Sequence, residues 1–208
     1  MGAQNSLSVH ANQIADGLAD KGYAVVDQFL EASAIDDILG SDELKEWKLH
    51  FKKAAVGKSA GRQVIEEIRG DYIQWIDTAT ASAPVAGYVH KLRTLIPMLN
   101  ESLFLSLKDV EVHLTSYPVG TFYKRHLDQF RSDDHRKLSV ICYLNKGWRG
   151  ENGGQLRLHL PEGPLDIFPL AGRLACFRSD QVEHEVMPAN RERMSLTGWM
   201  VDRVPGTT

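Results

Sequence analysis

Along the first half of the chain apolar residues recur at helical spacing, and along the second half they alternate with polar ones. Leu7, Ile14 and Leu18 mark one face of a first helix, which Lys21 and Gly22 close with a basic last turn and a C-terminal stop. Tyr23 to Val26 reads as a short strand. A second helix is expected through Ile35, Ile38 and Leu39 towards Trp47, and a third from Pro84 through Val85, Val89, Leu92 and Ile96. Pro84 suits a first helical turn, whereas Pro97 is expected to bend or end the third helix. The polar, glycine-containing stretch from Lys52 to Arg69 reads as a long loop or hairpin of the kind that often carries function, and a strand-like run, Tyr72 to Ile76, follows it.

From about Val110 the period becomes two. Runs of this kind cover Val110–Tyr117, Leu138–Leu144, Gln155–Leu160, Arg173–Phe177 and Met194–Val201, with turn signals at 152–154 and 161–164. A helical half followed by many short strands predicts an α+β protein. Its strands are expected to form a sandwich or jelly roll backed on one side by helices, with helical support over about residues 1–105 and a β core over about 106–203.

Composition narrows the setting. With 208 residues and 43% hydrophobic content, the chain fits one compact domain, and no repeat or interdomain linker interrupts it. A formal charge of -3 gives no whole-molecule attraction to nucleic acid or to anionic lipid, so neither is expected as a partner. The two cysteines, Cys142 and Cys176, lie in apolar runs and form no CxxC pair, which argues for a reducing compartment and against a disulfide framework. No basic segment followed by an apolar core opens the chain and no apolar run is long enough for a bilayer, so the cytoplasm is the expected location.

The candidate chemistry begins at YKRHLD (123–128), where His126 and Asp128 stand two apart and on an extended segment would point the same way. That pair alone is common by chance. It gains weight from His184, which follows an apolar strand and the charged loop from Asp180, and from Arg193 nine residues further on. Two histidines and one carboxylate on one face of a metal leave the opposite positions open, as iron(II) requires to take a co-substrate and oxygen together. Arginine presents a planar fork matched to a carboxylate, here the distal one of 2-oxoglutarate, whose other end chelates the metal. If Met194–Val201 is extended, Arg193, Ser195, Thr197 and Trp199 share one face, so that Thr197 adds a hydroxyl beside Arg193, while Met194, Leu196 and Met200 face away.

These residues sit in a longer pattern. GYAVVDQFL (22–30), IRGDYIQWI (68–76), YKRHLD (123–128), CYLNK (142–146), GGQLR (153–157), HEVMP (184–188) and the spacing Arg193, Thr197, Trp199 occur in an order that resembles the prolyl 4-hydroxylase-domain oxygenases, including the hypoxia-inducible-factor prolyl hydroxylases and their bacterial relatives. The resemblance runs from about Gly22 to Asp202. It implies a double-stranded β-helix core, with iron held by His126, Asp128 and His184 and the 2-oxoglutarate carboxylate held by Arg193 with Tyr143 and Thr197. It further implies that Tyr117 and Tyr123 line the metal pocket, that Arg136 and Trp199 meet the target proline, and that Asp71 and Arg69 fix the covering loop; His113 shares parity with Tyr117 and reads as pocket lining.

The implied reaction is hydroxylation of a prolyl residue in a protein, coupled to conversion of 2-oxoglutarate and oxygen to succinate and carbon dioxide, with ascorbate as a supporting reductant. Bacterial members act on a translation elongation factor, which is therefore the expected target by resemblance. Two departures bear on the substrate: the turn from Pro118 to Thr121 is one residue shorter than in the animal enzymes, and the stretch from Lys52 to Glu67 is the chain's own. Two other readings remain open at this point. One is an oxygenase acting on a small molecule or another side chain, and the other a non-catalytic module that senses oxygen or 2-oxoglutarate.

Overall fold

The computed structural model describes residues 2–47, 69–129 and 134–203. The long stretch from Lys52 to Arg69 singled out above therefore lies outside the described residues, apart from its last residue, Arg69.

Among the described residues ten strands form two antiparallel sheets. In the larger one, β1 (Tyr23–Val26), β8 (Leu174–Arg178), β5 (Arg136–Tyr143), β10 (Arg193–Val201), β3 (Asp109–Tyr117) and β2 (Tyr72–Trp75) lie in that order. The smaller runs β4 (Tyr123–His126), β9 (Glu183–Val186), β6 (Leu156–Leu160) and β7 (Gly163–Ile167). Two facing sheets of this kind make the expected double-stranded β-helix. Of the helices in the described residues, α1 (Gly2–Lys21) and α3 (Ala83–Leu103) back the larger sheet and α2 (Ala32–Leu39) packs on α3. None of the described helices is long and apolar enough to cross a membrane.

Each central strand serves two different surfaces, because successive side chains point to opposite faces. Leu114, Val140, Cys142, Met194, Leu196 and Met200 join Tyr88, Leu92, Leu95 and Leu99 of α3 in an apolar core. Tyr117, Ile141 and Tyr143 face the smaller sheet and pack with Leu156, Leu158 and Val186. At Gly198 the backbone of β3 passes so close that a Cβ would fall 2.1 Å from the Glu111 carbonyl oxygen, so only glycine keeps this central register.

Three expectations change. Pro97 does not end α3, which continues to Leu103 and stops at Phe104 in a left-handed conformation. An interior proline costs roughly 3 kcal/mol, but α3 buries seven side chains, from Val85 to Leu99, against the sheet and α1, and that burial outweighs the local penalty. The second helix ends at Leu39, and helical backbone resumes only at residues 42–47 beyond Gly40 and Ser41. Finally, Glu183–Val186 and Gly163–Ile167, which the alternation did not mark as strands, are strands of the smaller sheet. Their side chains are half exposed and charged or interrupted by proline, so neither shows an apolar run.

Candidate active site

Between the sheets lies a cavity of about 190 Å³, and the register of the larger sheet decides what faces it. Across β3, β10 and β5, antiparallel pairing sets Thr115, Ser195 and Tyr143 in one row and His113, Thr197 and Ile141 in the next, with Arg193 beside Tyr117 above them and Glu111, Trp199 and Ser139 below. The smaller sheet contributes His126 from the end of β4 and His184 from β9, which are direct partners in the ladder. Asp128 follows two residues beyond His126, after the strand has ended, so the chain turns its carboxylate inward instead of relying on strand parity alone.

His126, Asp128 and His184 present ligand atoms that all lie within 4.8 Å of one another. The Asp128 Oδ1 atom is 3.5 Å from Nε2 of His126 and 3.7 Å from Nε2 of His184. The tautomers are set by the backbone. Nδ1 of His126 lies 2.7 Å from the Lys124 carbonyl oxygen and Nδ1 of His184 lies 3.1 Å from that of Val182. A carbonyl only accepts, so each Nδ1 carries the proton and each Nε2 turns its lone pair towards Asp128.

Electrostatics prepares the same arrangement. Burial, the largest influence on His184, lowers its pKa and keeps the ring neutral. Burial would raise the Asp128 carboxyl, but the neighbouring His184 and a hydrogen bond from Ser139 hold it well below the usual carboxylate range. Two neutral imidazoles and one carboxylate are the donor set that suits a divalent iron or similar cation with open positions. Tyr123 stacks on His126, with ring centroids 3.7 Å apart, and limits its rotation.

The far end of the cavity is cationic. Arg193 is 1% exposed, its Nε donates to the Gly154 carbonyl oxygen at 2.8 Å, and its Nη2 is buried without a hydrogen-bond partner. The Tyr143 hydroxyl is also buried and unpartnered, and the guanidinium carbon sits 5.0 Å from the ring centres of both Tyr117 and Tyr143. Burial pushes both phenols up, so they remain protonated donors. Orphaned buried donors are costly, and a buried cation more so, unless an anion completes them. A carboxylate placed between Arg193 and the Tyr143 hydroxyl satisfies both, which is the fit expected for the distal end of 2-oxoglutarate. Thr197 lines the same cavity, its Oγ1 3.1 Å from Ser195 Oγ.

The mouth is built from residues named by the sequence and from others that it did not mark. Arg136 lies over the Trp199 ring at 3.5 Å, and Nη2 of Arg136 is 3.4 Å from Glu111. Trp199 also packs on His113, which touches the exposed ring of Trp75. Burial drives the His113 pKa down to about 4, so this imidazole is neutral, with Nδ1 2.9 Å from Thr115 Oγ1. Asp71 forms a two-pronged pair with Arg69, at 2.6 Å for each contact, and Arg69 stands 4.6 Å over the Tyr123 ring. Thus all the residues singled out in the sequence border one cavity or its rim, Tyr143 standing behind Arg193.

Sequence reasoning missed Ser139, Ser179 and Gly154. Ser139 shares parity with Tyr143 on β5, a usable signal, but nothing local marks the loop residue Ser179. Gly154 adopts a positive φ of 67°, and a Cβ there would lie 2.9 Å from Ala189 and 3.4 Å from Arg193 Cδ, so glycine makes room for the arginine. A larger open groove of about 730 Å³ between α1 and β1, bordered by Gln13, Asp16, Asp20 and Lys21, lies apart from these groups.

The chain is similar to known proteins. Residues 112–201 match the 2OG-Fe(II) oxygenase superfamily. The chain is 33% identical over 218 residues to the hypoxia-inducible factor prolyl hydroxylase of Caenorhabditis elegans, covering 93% of itself but only 28% of that longer protein. Among solved structures it resembles a Pseudomonas putida prolyl-4-hydroxylase, with 39% identity, a TM-score of 0.78 and coverage of 93% of this chain and 100% of that one. It also resembles a prolyl hydroxylase of Trichoplax adhaerens in complex with a hypoxia inducible factor oxygen degradation domain peptide fragment, with 27% identity, a TM-score of 0.79 and coverage of 96% and 92%.

Proposed function

Because the chain belongs to the prolyl hydroxylase family of 2-oxoglutarate and iron(II) oxygenases, we propose that it hydroxylates C4 of a prolyl residue in a protein substrate. The observation that carries this reading is one cavity with a His126, Asp128, His184 cluster at one end and the unpartnered donors of Arg193 and Tyr143 at the other. A dicarboxylic 2-oxo acid is the co-substrate that answers both ends.

In this reading His126 and His184 ligate through Nε2 and Asp128 through Oδ1. Bound there, iron(II) supplies the oxygen activation that no side chain of the protein provides. The protein's own work is placement. Arg193 and Tyr143, with Thr197 beside them, hold the distal carboxylate, while Ile141, Leu156 and Val186 give the middle of the cavity apolar walls that limit water. Arg136 stacked on Trp199 forms a flat, charged wall at the mouth against which a peptide carrying the proline docks, and the Asp71 and Arg69 pair ties the chain preceding β2 to Tyr123.

The Trichoplax relative, seen with a peptide, supports a protein as substrate over a free metabolite. A translation elongation factor in the cytoplasm is the target to test first, on the resemblance to bacterial members. Purified protein supplied with iron(II), ascorbate, 2-oxoglutarate and a candidate protein is expected to yield succinate and a prolyl residue heavier by one oxygen atom. Turnover that is unchanged in His126→Ala, or an added oxygen found only on a free metabolite, contradicts the proposal.

A further inference from the structure

We infer that Ser139, anchored by Ser179, is a positioning residue that confines Asp128 to a single metal-binding oxygen. The inference rests on the metal reading above and concerns what fixes the carboxylate rather than what it binds. Asp128 Oδ1 faces the two imidazoles, whereas Oδ2 accepts a hydrogen bond from Ser139 Oγ at 2.6 Å. Ser139 Oγ lies 2.9 Å from Ser179 Oγ, and both serines are buried.

The proton arrangement in this relay has one solution. A hydroxyl has one proton, and the ionised Asp128 only accepts, so Ser139 donates to Oδ2 and Ser179 donates to Ser139. Charge-assisted bonds of this kind are among the stronger ones, and here solvent does not compete. Backbone bonds reinforce the anchor. Ser179 N donates to Lys137 O at 3.1 Å, and Gln129 N, next in the chain to Asp128, donates to Ser179 O at 3.1 Å. Ser179 therefore holds the segment after β4 through its carbonyl and the Asp128 side chain through Ser139.

This matters because Asp128 lies beyond the end of β4, where strand geometry no longer dictates its side-chain direction. A carboxylate free to rotate can wrap a cation with both oxygens and occupy a position that the co-substrate or oxygen needs. With Oδ2 committed to Ser139, one oxygen remains for the metal and the opposite face stays open.

The test uses cobalt(II), whose visible spectrum reports ligand number, with its affinity measured by competition against a chromogenic chelator. Ser139→Ala is expected to bind cobalt(II) about 10- to 100-fold more weakly than the parent and to shift the spectrum as Oδ2 turns to the metal. Ser139→Thr, which keeps a hydroxyl, is expected to stay near the parent in both readouts, and Ser179→Ala to lose about fivefold in affinity, the size of one ordinary hydrogen bond. If Ser139→Ala does not fold, the Ser179→Ala spectrum and affinity decide the matter. A folded Ser139→Ala protein with parental affinity and spectrum overturns the inference alone, while a parent that binds no cobalt(II) removes the metal reading and this inference with it.

Discussion

The two faces of β10 differ in kind, although they alternate residue by residue. Met194, Leu196 and Met200 meet the helices in a core of apolar side chains with no polar demands. Arg193, Ser195, Thr197 and Trp199 meet the cavity, where a buried guanidinium and a phenol lack partners and an imidazole is held neutral. One face gains stability from burial, and the other gives up some of it to keep donors and acceptors aimed into the cavity. A register slip of one residue would exchange the two, and Gly198, which admits β3 so closely, guards against it.

Substitutions on the two faces should therefore separate activity from stability. The largest effect is expected for His126→Ala and Asp128→Ala, which remove a metal donor: 2-oxoglutarate turnover should fall at least roughly 1,000-fold, about 4 kcal/mol in transition-state terms. The thermal midpoint of His126→Ala without metal should match or exceed the parent value, since unsatisfied site groups often oppose stability, whereas Asp128→Ala, which orphans the buried Ser139 hydroxyl, should melt lower. On the other face, Leu196→Ala should lose roughly 2 to 5 kcal/mol in urea unfolding while the folded fraction keeps its turnover per molecule.

Arg193→Lys sharpens the comparison next. It keeps the charge but loses the planar fork, so the KM for 2-oxoglutarate should rise by roughly 10- to 100-fold, matching about 1.5 to 3 kcal/mol for a charge-assisted hydrogen bond. An unchanged KM would move the distal carboxylate elsewhere in the cavity.

The smallest effect concerns acid. His113 has a folded pKa of about 4 against an ordinary 6.5, so between these values the unfolded chain binds a proton that the folded one refuses. Its contribution to stability is complete above about pH 6.5 and declines as pH falls towards 4. His113→Phe should flatten this limb relative to the parent when metal-free proteins are melted at pH 5 to 7, a range of roughly one to two pKa units around the histidine transition. A parallel limb in both proteins would place the titration elsewhere.

The sequence revealed these two faces unequally. The alternation in β3, β5, β8 and β10 was legible because buried apolar residues occupy every second position or more, and that parity alone put Arg193, Thr197 and Trp199 on one side. The smaller sheet was largely illegible. β9 reads as charge because Glu183 and Glu185 point outward and pair with Arg125 and His159, and β7 carries Pro164 at an edge where no ladder partner is needed on one side. The spacing of His126 and Asp128 suggested a shared direction, yet their meeting depends on a bend after β4 and on a serine fifty-one residues beyond Asp128, at Ser179, which no local pattern could announce. That Pro97 does not end α3 has a related reason, since tertiary burial along the helix overrides a local propensity.

The account rests on one ligand spanning both ends of the cavity, and its most direct test is the binding of 2-oxoglutarate, without oxygen, to the metal-free and manganese(II)-loaded protein. Binding to two ends implies reciprocal coupling. Loading the metal should tighten 2-oxoglutarate at least roughly tenfold, about 1.4 kcal/mol, and Arg193→Met should weaken it in the loaded protein. Equal affinity with and without the metal, in a protein that demonstrably holds manganese(II), would contradict the account.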